Sequence, residues 1–346
     1  MVGHSLKSTI KDVAREANVS PMTVSRALHQ PDKVAPETRM RVLAACEQLN
    51  YRPNASARSL RTNRSHQVGV IIPDWRNPFW IDVVGGIEEV LAEAGFQLLI
   101  ANSNEESDRQ TLQLEAMLSR SIDGLVIAPS VGSAGIIQEL QRVVNRIVVI
   151  DRLPVGLQDV SCVTIDNEDG AYKATTHLIE EGHRRIGLLA GNVNLDTGQQ
   201  RLNGYRRALR ERSLVEDGDL IRTAGTNAAL VGKQVGYQGT LEFLSQDDAP
   251  TAILCTSNTI AIGALMGLQE CRVRIPEAMA LVSFGNMEWT PLLTPPLSVV
   301  TQPTTEMGRQ AAQMLIEHLE TGRQDNAARR HVVLAPQLII RQSSRK

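Results

Sequence analysis

Between Gln67 and Gly285 the chain keeps returning to short, unbroken apolar runs: QVGVIIP (67–73), FQLLIA (96–101), GLVIA (124–128) and RIVVI (146–150), then CVTI, RIGLLA, TAILCT and ALVSFG. A strand covered on one face alternates polar and apolar residues; one that does not alternate is covered on both, as in a parallel sheet sandwiched by helices. The intervening stretches read as helices, for example 78–95, with Ile81, Val84, Gly85, Ile87, Glu88 and Leu91 distributed around it. About ten strands over roughly 280 residues are more than one such sheet holds, which predicts an α/β core of two parallel sheets. Two sheets make two lobes with a cleft between them, and ligands of open α/β sheets sit beyond the carboxyl ends of the strands.

The first 66 residues have another character. They carry eleven Lys and Arg against five Asp and Glu, whereas the remaining residues carry 25 against 33. A small basic head on an acidic body points to nucleic acid at one end only. Thr9 is a candidate N-cap with Asp12 three residues on, and Ile10, Val13, Ala14 and Ala17 mark one helical face. Asn18-Val19-Ser20 ends that helix and caps the next, and Pro21 takes the first helical position, where its missing N–H leaves nothing unpaired. Val24, Ala27 and Leu28 form the buried stripe of the second helix, leaving Pro21, Met22, Ser25 and Arg26 facing outward. A third helix is expected from about Pro36 to Leu49, with Val42, Leu43, Cys46 and Leu49 inward. Two short helices joined by a tight turn and braced by a third make a helix-turn-helix, whose second helix fits a major groove. Arg26 can grip guanine bidentately and Met22 can pack on a thymine methyl, while Thr9, Ser20 and Ser25 suit phosphates. In "NYRPNASARSLRTNRS" (50–65), Pro53 breaks the third helix and Asn54 can cap a segment of small residues, Ala55 to Leu60, that cannot bury a core alone and so is expected to be disordered or to fold only on contact.

The unbroken stretch "TIKDVAREANVSPMTVSRALHQPDKVAPETRMRVLAACEQLNYRPNASARSLRT" (9–62) resembles the head and hinge of the lactose/galactose repressor (LacI/GalR) family, and the head also resembles gluconate-type regulators. The resemblance implies that Pro21, Met22, Thr23 and Arg26 lie at the base-reading helix. It also implies that residues 54–60 form a hinge helix when a dimer meets DNA, with Asn54, Ala57, Arg58, Leu60 and Arg61 on the duplex and Leu60 wedged into the minor groove. The body is similar to the family too, in "IPDWRNPFWIDVVGGIEE", "VVIDR", "RLNGYRRAL" and "LTPPLSVVTQP". That likeness implies the two-lobed fold of sugar-binding periplasmic proteins, with three crossovers near Val163–Asp166, Met287–Thr301 and Thr321–Arg330. The expected organisation is a helix-turn-helix domain over 7–52, a hinge over 53–65 and an effector-binding core over 66–346, with one lobe of about 66–163 and 298–324 and the other of about 164–295 and 326–346.

Carried over position by position, the resemblance places an effector among Asp74, Asn77, Phe79, Asp151, Arg201, Asn258 and Asn286. An arginine, amides, carboxylates and an aromatic face at strand ends suit a polyol. Two positions depart from the family pattern: Thr259 follows Asn258 where an Asp is usual, and Gly285 stands where many members have the acid that binds sugar hydroxyls. With Arg201 kept, the expected effector is a sugar acid or related hydroxy acid.

No phosphate-loop, nucleophile-elbow or zinc-protease motif occurs, and neither the seven His nor Cys46, Cys162, Cys255 and Cys271 are spaced as metal ligands. An enzyme, a cofactor and a metal are therefore not expected. The N-terminus MVGHSLKSTI lacks the apolar core of a secretory signal, so a cytoplasmic location is expected and no membrane span. The reading is a transcriptional regulator, most simply a repressor, with a pseudo-palindromic double-stranded operator, a small-molecule effector and a homodimer as partners. The absence of C-terminal heptads in "PQLIIRQSSRK" argues against a tetramer. A transport binding protein of the same two-lobed fold is the alternative, and a purely architectural DNA-bending protein a third.

Overall fold

The computed structural model describes residues 8–51, 64–143, 146–157, 159–224, 228–321 and 329–345. The chain divides into two compact units, Met1–Ser65 and His66–Lys346.

In the first unit, α1 (Ile10–Glu16), α2 (Pro21–His29) and α3 (Pro36–Gln48) enclose a core of Val13, Ala14, Ala17, Val24, Ala27, Val42 and Ala45. The Asp12 carboxylate accepts from the Thr9 N–H at 2.9 Å and from its hydroxyl at 2.7 Å, closing the first turn of α1. The turn into α2 runs through Asn18 at φ 49°, a left-handed value that Asn tolerates, and the Ser20 hydroxyl caps α2 by accepting from the Thr23 N–H at 3.1 Å. Two expectations for this unit are corrected. Ser25 is 8% exposed rather than outward, and Leu43 is 45% exposed rather than inward. Val42 and Ala45 take the inward phase of α3.

The second unit holds two six-stranded sheets. The N-lobe sheet runs β11-β5-β4-β3-β1-β2 and the C-lobe sheet β12-β10-β9-β8-β6-β7. The strands are β1 (Gln67–Ile72), β2 (Gln97–Asn102), β3 (Gly124–Ile127), β4 (Ile147–Asp151), β5 (Ser161–Ile165) and β11 (His331–Leu334) in the first sheet. The second has β6 (Ile186–Ala190), β7 (Ile221–Thr223), β8 (Ala252–Cys255), β9 (Ala280–Phe284), β10 (Ser298–Thr301) and β12 (Gln337–Ile339). All pairings are parallel except β10 with β12, where Val299 faces Ile339 across an antiparallel edge.

The unbroken apolar runs are explained by their neighbours. Val68, Val70 and Ile72 enter one N-lobe cluster while Ile71 enters the cluster on the opposite face; Val148 and Ile150 divide from Ile147 and Val149 in the same way. In the C-lobe, Ala252 and Leu254 divide from Ile253 and Cys255. At roughly 1.5–3 kcal/mol for each fully buried large aliphatic side chain, these four clusters are the main source of stability. The N-lobe's principal cover is α4 (Pro78–Glu93) packed on α11 (Thr304–Thr321), with α5 (Ser107–Ser119) and α6 (Ala134–Val143) on the other face. Here α4 and α11 touch through glycines: a Cβ on Gly86 would lie 2.1 Å from the Thr305 carbonyl oxygen, and one on Gly308 2.1 Å from that of Val83. In the C-lobe α7 (Asn167–Glu180) packs on α8 (Asp196–Glu211), and α9 (Ala228–Leu244) on α10 (Asn258–Glu270).

The crossovers fall partly elsewhere than expected. The first lies between β5 and α7, as placed. The second follows β10, at Gln302–Pro303, so residues 298–301 belong to the C-lobe sheet. The third is at Ala335–Pro336, because β11 pairs with β5 of the N-lobe and only β12 returns to the C-lobe. In both cases a strand extends its sheet further along the chain than the apolar pattern showed.

Candidate functional site

In the first unit, Ser20, Pro21, Met22 and Arg26 are exposed along the start of α2, Met22 at 58%, and Thr9 is exposed at the start of α1. Thr23 is half-buried, its hydroxyl 2.9 Å from that of Ser20. Arg26 makes no ion pair among the described residues, so its guanidinium is available to a base edge. Asn54, Ala57, Arg58, Leu60 and Arg61 lie outside the described residues.

In the second unit, one cavity of about 150 Å³ opens between the lobes, room for a single ring-sized molecule. Its walls are the carboxyl ends of the strands. Asp74 follows β1, Glu105 follows β2, Asp151 ends β4 with Arg152 behind it, Asn192 follows β6, Thr256 to Asn258 follow β8, Phe284 ends β9 and Gln302 follows β10. Asn77, Phe79 and Trp80 come from the start of α4, and Thr197 and Arg201 from α8. Six of the seven expected effector residues therefore share one cavity. Asn286 does not: its side-chain oxygen accepts from Arg341 Nη2 at 2.8 Å and from the Thr290 hydroxyl at 3.1 Å. Gly285 at φ 92° turns the chain just before it and directs Asn286 away.

The polar groups of the cavity are unevenly matched. Asp74 Oδ1 accepts from Arg76 through its backbone N–H at 3.1 Å and Nε at 2.9 Å. Asn77 caps α4 by accepting from the Phe79 N–H at 3.2 Å, and the same oxygen accepts from Asn258 Nδ2 at 3.0 Å, joining the two lobes. Arg152 is 4% exposed, with both Nη atoms on Glu105 at 3.0 and 2.9 Å and Nε on Asp151 at 3.1 Å. Arg201 gives Nε to Asn167 at 2.9 Å and Nη1 to the Thr256 carbonyl at 2.6 Å, and stacks 4.5 Å from the centre of the Phe284 ring. No carboxylate lies within ion-pair distance of Arg201 among the described residues, and burial draws its guanidinium down to about 10. Burial pushes the Asp151 carboxyl above the ordinary range, against the pull of Arg152 and Arg201. Gln302 adds a buried Nε2 with no hydrogen-bond partner among the described residues. Sequence reasoning missed Glu105, Arg152, Asn192, Thr197 and Gln302. Arg152 adjoins Asp151 and Thr197 lies one helical turn before Arg201, whereas Glu105, Asn192 and Gln302 lie in the loops after β2, β6 and β10.

A basic helix-turn-helix with an exposed reading helix, carried on a two-lobed body with a polar cleft at its strand ends, defines a ligand-responsive DNA-binding regulator. Residues 9–54 match the model of bacterial regulatory proteins of the lacI family, and residues 175–344 that of the periplasmic binding protein-like domain. The chain belongs to the lacI family. It is 30% identical over 339 residues to the HTH-type transcriptional repressor PurR of Aliivibrio salmonicida, covering 98% of this chain and 99% of the relative. It is 32% identical over 338 residues to the repressor CytR of Escherichia coli, covering 98% and 96%. Among solved structures, the lac repressor dimer bound to operator superposes with a TM-score of 0.85 at 24% identity over 99% of this chain and 100% of the other, a likeness of fold. A regulator CelR–cellobiose complex gives 0.71 at 29% identity, over 97% and 100%. The chain is thus a DNA-binding transcriptional repressor with an effector domain, and the transport-protein alternative falls.

Proposed function

We propose that this repressor binds a pseudo-palindromic operator as a homodimer and is governed by a sugar acid or related hydroxy acid held between its lobes. The observation that carries the effector class is Arg201: a cation in the cleft wall with Nη2 free of any hydrogen bond among the described residues, while the carboxylates opposite already have Arg76 and Arg152. An anionic group beside Arg201 supplies the missing charge, and Asp74, Asp151 and the amides take hydroxyls. Gly285 lines the cavity and adds no acid on that side, consistent with an anion. Isothermal calorimetry of the intact chain against D-gluconate, D-galactonate, D-glucose and D-galactose tests it. Binding of an aldonate is expected; tight binding of a neutral sugar alone removes the sugar-acid reading.

The dimer has support in large apolar side chains left outside the core. On the N-lobe, Ile81 on α4, Ile100 on the edge strand β2 and Leu112 on α5 are 58%, 45% and 63% exposed. An apolar edge strand is a surface proteins normally cover. The effector acts through unequal affinity for two lobe arrangements, which alters the spacing of the two hinges and hence the placement of the two heads. By linkage, operator DNA changes effector affinity by the same factor. The chain has no catalytic role in this reading and works in the cytoplasm; among the described residues no helix is long and apolar enough to cross a membrane.

A further inference from the structure

We propose that Glu105 is a positioning residue of the cleft: by occupying the forked face of Arg152 it keeps one carboxylate oxygen of Asp151 free for the effector. This rests on the cleft being the effector site. The end-on fork of Arg152, Nη1 and Nη2, is on the two oxygens of Glu105, at 3.0 and 2.9 Å. Asp151 receives only Nε, at 3.1 Å on Oδ2, and its Oδ1 accepts no hydrogen bond among the described residues. An arginine beside a single carboxylate favours two parallel bonds to it. Without Glu105, Arg152 is free to fork onto Asp151 and cover Oδ1.

The bridge also spans the top of the sheet. Glu105 follows β2 and Asp151 ends β4, and β3 and β1 lie between those strands. Both loops are held in left-handed backbone, Asn104 at φ 58°, Glu105 at φ 59° and Asp151 at φ 70°. Such conformations persist in residues with side chains where the surroundings hold them, and the buried Arg152 bridge is one such hold. The charged groups around Asp151 are Arg152 and Glu105 from its own lobe and Arg201 from the other.

The experiment is a pH titration of the intact chain carrying 13C-carboxyl aspartate, with the Asp151 resonance assigned by its loss in Asp151→Asn. In Glu105→Gln the Asp151 midpoint is expected to fall by about one pH unit or more, since a guanidinium forked onto a carboxylate favours its charged form. In Arg152→Gln it is expected to rise. An unchanged midpoint in Glu105→Gln, or the same direction in both variants, which is what general loosening of the cleft produces, overturns the proposal. If Glu105→Gln does not fold, the shorter acid of Glu105→Asp is expected to lower the midpoint part of the way, and no change there overturns it equally. For effector binding the probe is D-gluconate. Glu105→Gln is expected to weaken it about 10- to 100-fold, with Glu105→Gln/Asp151→Asn no weaker than Asp151→Asn alone; fully additive losses contradict the mechanism. If the wild-type chain ignores D-gluconate and D-galactonate alike and binds a neutral sugar tightly, the sugar-acid reading fails, and the carboxyl titration still decides the role of Glu105.

Discussion

Arg26 and Arg201 are exposed or half-buried cations without carboxylate partners, one in each unit, and each is suited to a ligand. Arg26→Ala is expected to weaken operator binding by about 1–3 kcal/mol and to relax base choice at one position of each half-site, measured on a panel of single-base operator variants. Arg201→Ala is expected to abolish the effector response while leaving operator affinity intact; anisotropy of labelled operator with and without effector measures both. Arg26 was legible in the cap and helix pattern of the head, whereas Arg201 was placed by the family resemblance. Side-chain direction was less legible. Ser25 was expected outward because it lies off the stripe of Val24, Ala27 and Leu28, but it is buried beside Val24 in sequence. Leu43 was expected inward, whereas Val42 and Ala45 enter the core of the head and Leu43 is exposed. Asn286 was misplaced because the φ of Gly285 is a backbone fact that no side-chain pattern records.

At the level of elements, the unbroken apolar runs announced strands covered on both faces, and the two clusters on either side of each sheet account for them. The less apolar strands β11 and β12 lie at sheet edges, and their half-exposed residues do not stand out in sequence. The third crossover was misplaced for that reason; the second was misplaced because β10, a buried strand, continues the C-lobe sheet to Thr301. Helix contacts were also hidden: the approach of α4 to α11 depends on Gly86 and Gly308 each meeting a backbone carbonyl, which sequence spacing does not reveal. Gly308→Ala forces that crossing apart and is expected to destabilise the chain by roughly 1–3 kcal/mol, read from chemical denaturation, without a direct effect on base choice.

For the whole molecule, pH offers a test of packing between helices, sheets and the C-terminal segment. Burial holds the imidazoles of His177 and His318 below their ordinary value of 6.5. His177 bonds Ser344 at 2.8 Å, and His318 on α11 bonds Ser161 of β5 at 3.2 Å. The unfolded chain therefore takes up protons first as pH falls. The stability these two groups contribute is complete above about pH 6.5 and is lost below it, towards their folded values. Melting temperatures of the intact chain should drop from pH 7.5 to 5.5, and less steeply in His318→Gln. The measurement that bears most directly on the molecule as a switch begins with a duplex selected from a random-sequence pool by the intact chain. Its affinity is then read by fluorescence anisotropy as the cleft ligand found by calorimetry is added. Operator affinity is expected to change at least about tenfold in wild type and to stay constant in Arg201→Ala. Failure to select any duplex at low salt, or the same affinity at saturating ligand, contradicts control of the head by the cleft.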